Sequence, residues 1–466
     1  MTASALKLLD VPSGLSQADG LTLPLYAVRP DDLGHYLSKL PKSASRQARL
    51  IGFSGEAGQT LLYADKDGTL AGGVLGLGVG SVFSGFGGAA AALPSGHIWR
   101  IEHDTTSIEA AELGFLLGAY RYQTLKTKKT TLSCLSNVSI RSRIVAGCIM
   151  FVRELINTPA NLLGPGELTD IALQLASRFG ADAECIGNEL LAARYPAIQA
   201  VGAGSIRPPA VVVFKWKGSA ASKKSPLISF CGKGVCFDTG GYNLKPGAGM
   251  RLMRKDMGGA AIALGVAAAI MALDLPIRLE LRIGCAENSI SGSAMRPSDV
   301  LNTRAGITVE VGDTDAEGRL ILCDLLTEAC EAKPDWLIDI ATLTGAARVA
   351  LGPDLPALFC NDDDLADAIL TSGRASEDQL WRMPLHGSYS AGLDSPFADI
   401  SNISSKSFGG AITAALFLQK FVSKQISWAH IDTYAWNDST RPGKPEGGEA
   451  QALRALLMAI EQLANK

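Results

Sequence analysis

Histidine is scarce in this chain: 5 residues in 466. That leaves little room for a metal site built on imidazoles. The sequence also lacks a His-Glu-x-x-His metalloprotease motif, a Gly-x-Ser-x-Gly nucleophile elbow and a Walker phosphate loop. Net charge is nearly absent, with 43 Lys and Arg against 46 Asp and Glu, a balance of −3 and a pI near 6.0. Bulk positive charge is what a nucleic-acid binder normally shows, so no nucleic-acid partner is expected. The 9 cysteines are odd in number and form no close pairs at metal-ligand spacing. Reduced, mostly buried thiols in a cytoplasmic protein fit that usage better than a disulfide framework. The N-terminal MTASALKLLDVPSGL lacks a long apolar run after a basic start, so no secretory signal is expected.

What is present is a large apolar core. Hydrophobic residues make up 47% of the chain and charged residues 19%, which excludes a disordered polymer. Two stretches pass a crude hydropathy test, yet neither reads as a membrane span. Gly68–Trp99 carries no Asp, Glu, Lys or Arg, but is rich in Gly and broken by Ser and Pro, as strands and turns are. Met257–Leu273, flanked by Asp256 and Asp274, is short for a span and reads as a buried helix. Gly85-Phe-Gly-Gly-Ala-Ala is a poor match to a dinucleotide-binding loop, because its context is wrong.

The pattern divides the chain into three parts. Residues 1–135 read as a smaller α/β N-terminal domain, with short apolar strands at Leu21–Val28, Arg49–Phe53, Thr60–Tyr63 and Leu70–Leu77 and a helix from Ser107 to Leu125. Residues 136–160 read as a linker helix. In residues 161–466, helices alternate with strands at Pro209–Trp216, Leu227–Gly232, Arg278–Cys285, Thr308–Val311, Asp335–Thr342 and Ile426–Asp432. Such alternation predicts an α/β fold: a mixed, largely parallel twisted sheet sandwiched by helices. Sites in such sheets form at the carboxyl ends of strands.

Those ends are chemically dense. Lys233, Asp238 and Lys245 follow one strand, and Met253-Arg-Lys-Asp256-Met-Gly-Gly runs into the apolar helix. After Thr308–Val311 comes Gly-Asp313-Thr-Asp315-Ala-Glu317-Gly-Arg319, running into another helix. A lone Asp before a helix is ordinarily an N-cap, and a lone Lys a solvated charge. Here Asp238, Asp256, Asp315 and Glu317 would converge at one sheet edge with Lys233, Lys245 and Arg319. Four carboxylates in one crevice repel one another, and two divalent cations would neutralise them. Cys231 and Cys236 nearby are read as packing residues, and His386 and His430 as structural, since each stands alone.

At these residues the sequence resembles the leucine aminopeptidase, or cytosol aminopeptidase, family of two-metal exopeptidases. The motifs are GKG…FDTGG…K…MRKDMGGA and DTDAEGRL, supported by Asn157-Thr-Pro-Ala-Asn161, Glu287-Asn288, Arg296-Pro-Ser-Asp-Val300, Ala341-Thr-Leu-Thr-Gly345, Ala398-Asp-Ile-Ser-Asn402 and Gly409-Gly-Ala-Ile412. The resemblance implies that Lys233, Asp238, Asp256 and Glu317 bind a tight metal. Asp238, Asp315 and Glu317 would bind a more exchangeable one. It implies Lys245 and Arg319 as the catalytic pair, and Met253, Thr342, Leu343 and Gly345 as substrate-lining positions. The implied activity is release of N-terminal amino acids, leucine-like ones among them, from peptides. Two metals would activate a water, Lys245 would stabilise the gem-diolate, and Arg319 would hold a bicarbonate as general base. The implied cofactors are Mn²⁺ or Zn²⁺, with Mg²⁺ or Co²⁺ as alternatives. The implied assembly is a homohexamer, with no membrane partner.

The chain departs from the family at two places. Asp313 stands where the family usually has Asn, and Pro445-Glu-Gly-Gly-Glu-Ala differs from an expected Gly/Ala-rich stretch near the specificity pocket. The first implies an altered metal or pH profile, and the second leaves the side-chain preference open. A non-catalytic scaffold that keeps the fold is the alternative function class, and the intact site positions argue against it.

Overall fold

The computed structural model describes residues 2–17, 20–102 and 108–464. Two compact units are present: Ala3–Phe151 with Asn437–Gly447, and Val152–Trp436 with the chain from Gly448 onward.

The first unit is built on five strands: β1 (Thr22–Val28), β2 (Thr60–Ala64), β3 (Leu70–Gly76), β4 (Ile98–Ile101) and β5 (Cys134–Leu135). They lie in the order β2-β3-β1-β4-β5, with β2 and β3 antiparallel and the other pairs parallel. Leu25, Trp99 and Phe115 are fully buried in its core. Two expectations are corrected here. Arg49–Phe53 is no strand: residues up to Ile51 belong to the helix Lys42–Ile51, which buries Ala44 and Ala48 and stops at left-handed Gly52. A five-residue apolar run cannot separate strand from helix, and the four-residue spacing of the buried alanines decides it. The charge-free stretch is likewise not only strands and turns, since Val82–Phe86 and Ala89–Ala92 are helical. The helix expected from Ser107 spans Ile108–Ala119, and residue 107 lies outside the described residues.

In the second unit the strands are β6 (Asp182–Gly187), β7 (Ala210–Lys217), β8 (Leu227–Asp238), β9 (Arg278–Asn288), β10 (Val300–Asn302), β11 (Thr308–Glu310), β12 (Trp336–Ala341), β13 (Ala357–Cys360), β14 (Trp381–Arg382), β15 (Ile400–Ser401) and β16 (Ser427–Asp432). Eight of them form one sheet in the order β14-β13-β16-β12-β8-β9-β7-β6. The central run β16-β12-β8-β9 is parallel, while β7 joins β9, β6 joins β7 and β13 joins β16 antiparallel. The mixed, largely parallel sheet expected from the sequence is thus present. Its central strands are buried almost throughout, as strands covered on both faces must be.

The apolar run after Asp256 forms the helix Gly258–Ala272, in which every residue from Gly258 to Met271 is buried. It sits hard against the sheet. A Cβ on Gly259 would come within 2.1 Å of the Ile340 carbonyl of β12, so only glycine permits this approach. That contact holds the start of the helix, and Asp256 just before it, at the carboxyl ends of β8 and β12.

Candidate metal centre

Lys233 and Asp238 both lie within β8, which runs six residues beyond its expected end at Gly232. Their spacing of five is odd, and a regular strand would turn them to opposite faces. The strand is not regular. Val235 pairs with Ala286 of β9, but Phe237 pairs with Glu287, so Cys236 is an extra residue, a β-bulge. Lys233 therefore aligns with Gly284 and Asp238 with Asn288, an even step on β9, and both side chains share one face.

The other ligand candidates arrive from two strand-to-helix corners. Asp256 ends the 3-10 turn Met253–Lys255 ahead of the helix Gly258–Ala272. Asp315 and Glu317 precede the helix Gly318–Glu331. The N-cap alternative fails at both corners. The N-cap positions belong to Met257 and Glu317, and neither makes a side-chain capping bond.

Two lysines knit the four carboxylates together. Lys233 Nζ lies 2.7 Å from Asp256 Oδ2 and 2.9 Å from Glu317 Oε1, and donates to the Thr342 carbonyl at 2.9 Å. Lys245 Nζ lies 2.7 Å from Asp238 Oδ2 and pairs also with Asp315 Oδ1. Candidate ligand oxygens of Asp238, Asp315 and Glu317 fall within 4.8 Å of one another. Four carboxylates against two ammonium groups leave a deficit of −4 + 2 = −2.

The electrostatics register that excess. Burial, then the charge of Asp238, pushes Glu317 up from 4.5 to about 8 and Asp315 from 3.8 to about 6. Burial penalises both lysine charges, but the surrounding carboxylates outweigh it and hold both pKa values above the ordinary 10.5. Lys233 can serve as a metal ligand only as the neutral amine, so cations must replace that carboxylate field first. Asp256 is held below its ordinary value, because Lys233 and Lys255 outweigh the effect of burial. Glu317 Oε2 is buried and has no hydrogen-bond donor among the described residues. The donor set therefore fits divalent cations.

Arg319 is buried, and burial lowers its pKa to about 10. Its Nη1 donates to the Asn402 carbonyl at 2.6 Å, while its Nε has no acceptor. A buried guanidinium with an unused donor fits an oxyanion.

Several amide side chains fix this frame, and no role was assigned to them from sequence. Asn288 Nδ2 donates to Asp238 Oδ1 at 2.8 Å and to the Thr314 carbonyl at 3.0 Å, tying β9 to the end of β8 and to the corner that carries Asp315. Asn402 accepts from Gly312 N at 2.8 Å and donates to the Asp313 carbonyl at 2.7 Å. Both lie in motifs that match the family, and that was their only sequence signal. Asp313 itself accepts from Asp315 N at 2.8 Å. Of the substrate-lining candidates, Thr342 Oγ1 donates to Asp256 Oδ1 at 2.8 Å, and Leu343 N donates to Asp432 Oδ1 at 3.0 Å. Met253 opens the 3-10 turn and Gly345 opens the helix Gly345–Leu351. Cys231 and Cys236 are buried thiols, and none of the nine cysteines is paired. His430 is buried on Asp339 at 2.5 Å and stacks between Phe359 and Trp428, away from the ligand set. Glu449, in the divergent C-terminal segment, forms a buried ion pair with Arg153 at 3.0 Å.

Residues 150–457 match the catalytic domain of the cytosol aminopeptidase family, and residues 23–136 match the N-terminal domain of M17 aminopeptidases. A probable cytosol aminopeptidase of Pseudomonas fluorescens is 42% identical over 337 residues, 72% of this chain and 66% of the relative. The aligned part thus spans about two thirds of that relative's length. The cytosol aminopeptidase of Coxiella burnetii superposes with a TM-score of 0.91 at 42% identity, covering 96% of this chain and 98% of that one. The bottromycin maturation enzyme BotP, solved in complex with Mn, gives a TM-score of 0.84 at 30% identity, covering 96% and 100%. Fold, motifs and carboxylate cluster agree, and the chain belongs to the cytosol aminopeptidase family of metallo-aminopeptidases.

Proposed function

We propose that this protein releases N-terminal amino acids from peptides at a site for two divalent cations held by Lys233, Asp238, Asp256, Asp315 and Glu317. The observation that carries the reading is the charge deficit at the β8 end, with Glu317 Oε2 buried and unpartnered. When bound, the cations supply Lewis acidity to the scissile carbonyl and make a water acidic enough to attack at neutral pH. Mn²⁺ or Zn²⁺ is the proposed pair, with Mg²⁺ or Co²⁺ as alternatives. Manganese has support from the Mn complex of BotP.

Lys245 is the proposed electrostatic catalyst. Its protonated amine, kept charged by Asp238 and Asp315, stabilises the negative charge that develops on the carbonyl oxygen. Arg319 stays protonated and cannot be the base. Its unused Nε is the proposed donor to a bicarbonate, which would be the general base. Met253, Thr342, Leu343 and Gly345 are proposed to line the substrate, and a leucine-like first residue belongs to this reading. Further parts of it are a cytoplasmic location, supported by the names of the relatives and nine unpaired thiols, and a homohexamer.

The test is a matrix of aminoacyl amides against Mn²⁺, Zn²⁺, Co²⁺ and Mg²⁺ added to metal-stripped protein. Turnover that depends on the added ion is expected. A folded sample with no turnover under any ion overturns the reading, and sedimentation of the active species decides the assembly.

A further inference from the structure

Beside the carboxylate cluster lies a second charged feature that metal binding and the proposed chemistry leave unused. Lys255 is only 6% exposed, yet among the described residues its Nζ has no hydrogen bond and no ion pair. Its one partner is the Tyr434 ring, with Nζ 4.8 Å from the centroid. Arg348, exposed on the helix Gly345–Leu351, sits over the same ring at 4.7 Å and likewise has no ion pair among the described residues. Arg254 repeats the pattern 5.4 Å from the Trp436 ring.

Asp256 and Asp432 act on Lys255 through space only, and their hydrogen bonds go elsewhere. Asp256 is already engaged by Lys233 at 2.7 Å and Thr342 Oγ1 at 2.8 Å. Asp432 accepts from Leu343 N at 3.0 Å, Thr344 N at 3.1 Å and Thr344 Oγ1 at 2.6 Å. A buried ammonium paired only with a ring costs desolvation energy that an aromatic contact offsets in part. The segments that carry the cations also carry the proposed substrate positions. Lys255 lies between Met253 and Asp256, and Arg348 is on the helix that Gly345 opens. Tyr434, part-exposed, follows β16 next to the end of β12, where Thr433 N donates to the Ala341 carbonyl.

We propose that Lys255 and Arg348, gathered on Tyr434, form an anion-recognising subsite that takes a carboxylate of the peptide substrate. The inference rests on the aminopeptidase reading and deepens it. The carboxylate has three sources: an acidic first side chain, an acidic second side chain, or a free C-terminus. All three would be recognised through charge-assisted contacts.

Three matched pairs of substrates separate the sources: glutamate against glutamine α-amide, leucyl-glutamate against leucyl-glutamine amide, and leucyl-leucine against its amide. In the wild-type holoenzyme, one acidic member is expected to exceed its neutral partner in kcat/KM by about tenfold to hundredfold, the range for hydrogen bonds to charged groups. Lys255→Met and the surface variant Arg348→Gln are each expected to erode that ratio, mainly through KM. Ratios within twofold for all three pairs overturn the proposal, as do variants that slow acidic and neutral members equally. Wild-type protein that hydrolyses neither member of any pair with any metal sinks the aminopeptidase reading, and this inference falls with it.

Discussion

Gly318→Ala separates stability from metal binding in one methyl group. Gly318 opens the helix Gly318–Glu331 beneath the Lys233 side chain. A Cβ built there lies 2.7 Å from Lys233 Cε, 2.8 Å from Cδ and 2.9 Å from Nζ. Ordinary contact begins near 3.4 Å, so Cε must retreat by the difference between 2.7 and 3.4 Å, about 0.7 Å. Lys233 is 2% exposed, and its amine is already tied to Asp256, Glu317 and Thr342, so the retreat is taken from those contacts. Helix propensity acts the other way, favouring alanine by up to about 1 kcal/mol. Net stability should therefore change by no more than about 1–2 kcal/mol, because overpacking and propensity oppose each other. Activity has no such compensation. A displacement of this order at a ligand is expected to lower kcat/KM about a hundredfold. The assay is kcat/KM with metal content by atomic spectroscopy, alongside urea unfolding. A folded variant that retains two ions and wild-type turnover would refute the reasoning.

Three further outcomes are expected. Lys245→Ala should lower turnover by about a hundredfold or more while metal content is retained, since Lys245 is proposed to serve the carbonyl and not the metals; loss of both together would reassign it to the metal site. Metal-stripped protein should lose thermal stability as pH rises. Glu317 is held at about 8 against an ordinary 4.5 in the unfolded chain, so its contribution is full below 4.5 and is lost as pH climbs through about 8. Cations bind the ionised form, so added Mn²⁺ should stabilise more at about pH 9 than at about pH 6, and the reverse order in melting scans would contradict the assignment. Asp313→Asn should keep the fold and activity, because an amide oxygen can accept the Asp315 N–H as the carboxylate does at 2.8 Å. The change should shift metal preference or the pH–rate profile, and superimposable profiles would remove Asp313 from that role.

The carboxylates and lysines were legible because they are packed among glycines around the ends of strands and the starts of helices, where an unpaired charge has no packing purpose. The alternation of apolar segments likewise announced the parallel sheet. Single side chains at ordinary positions stayed silent. Asn288 and Asn402 act through amide hydrogen bonds that depend on where distant corners land. Lys255 looks like any charge in a polar turn until the fold buries it against a ring with no ion pair among the described residues. The strand carrying Lys233 and Asp238 was itself read too short, because Lys233 breaks its apolar run. Even at full length, alternation would have set the two residues apart, since five is an odd number. Only the pairing with β9 exposes the extra residue at Cys236 that cancels the odd step. A bulge carries no composition of its own here: Val235, Cys236 and Phe237 are an ordinary apolar strand sequence. The register follows from the whole sheet, and it is the register that turns two residues at an unpromising spacing into neighbours on one face of the candidate site.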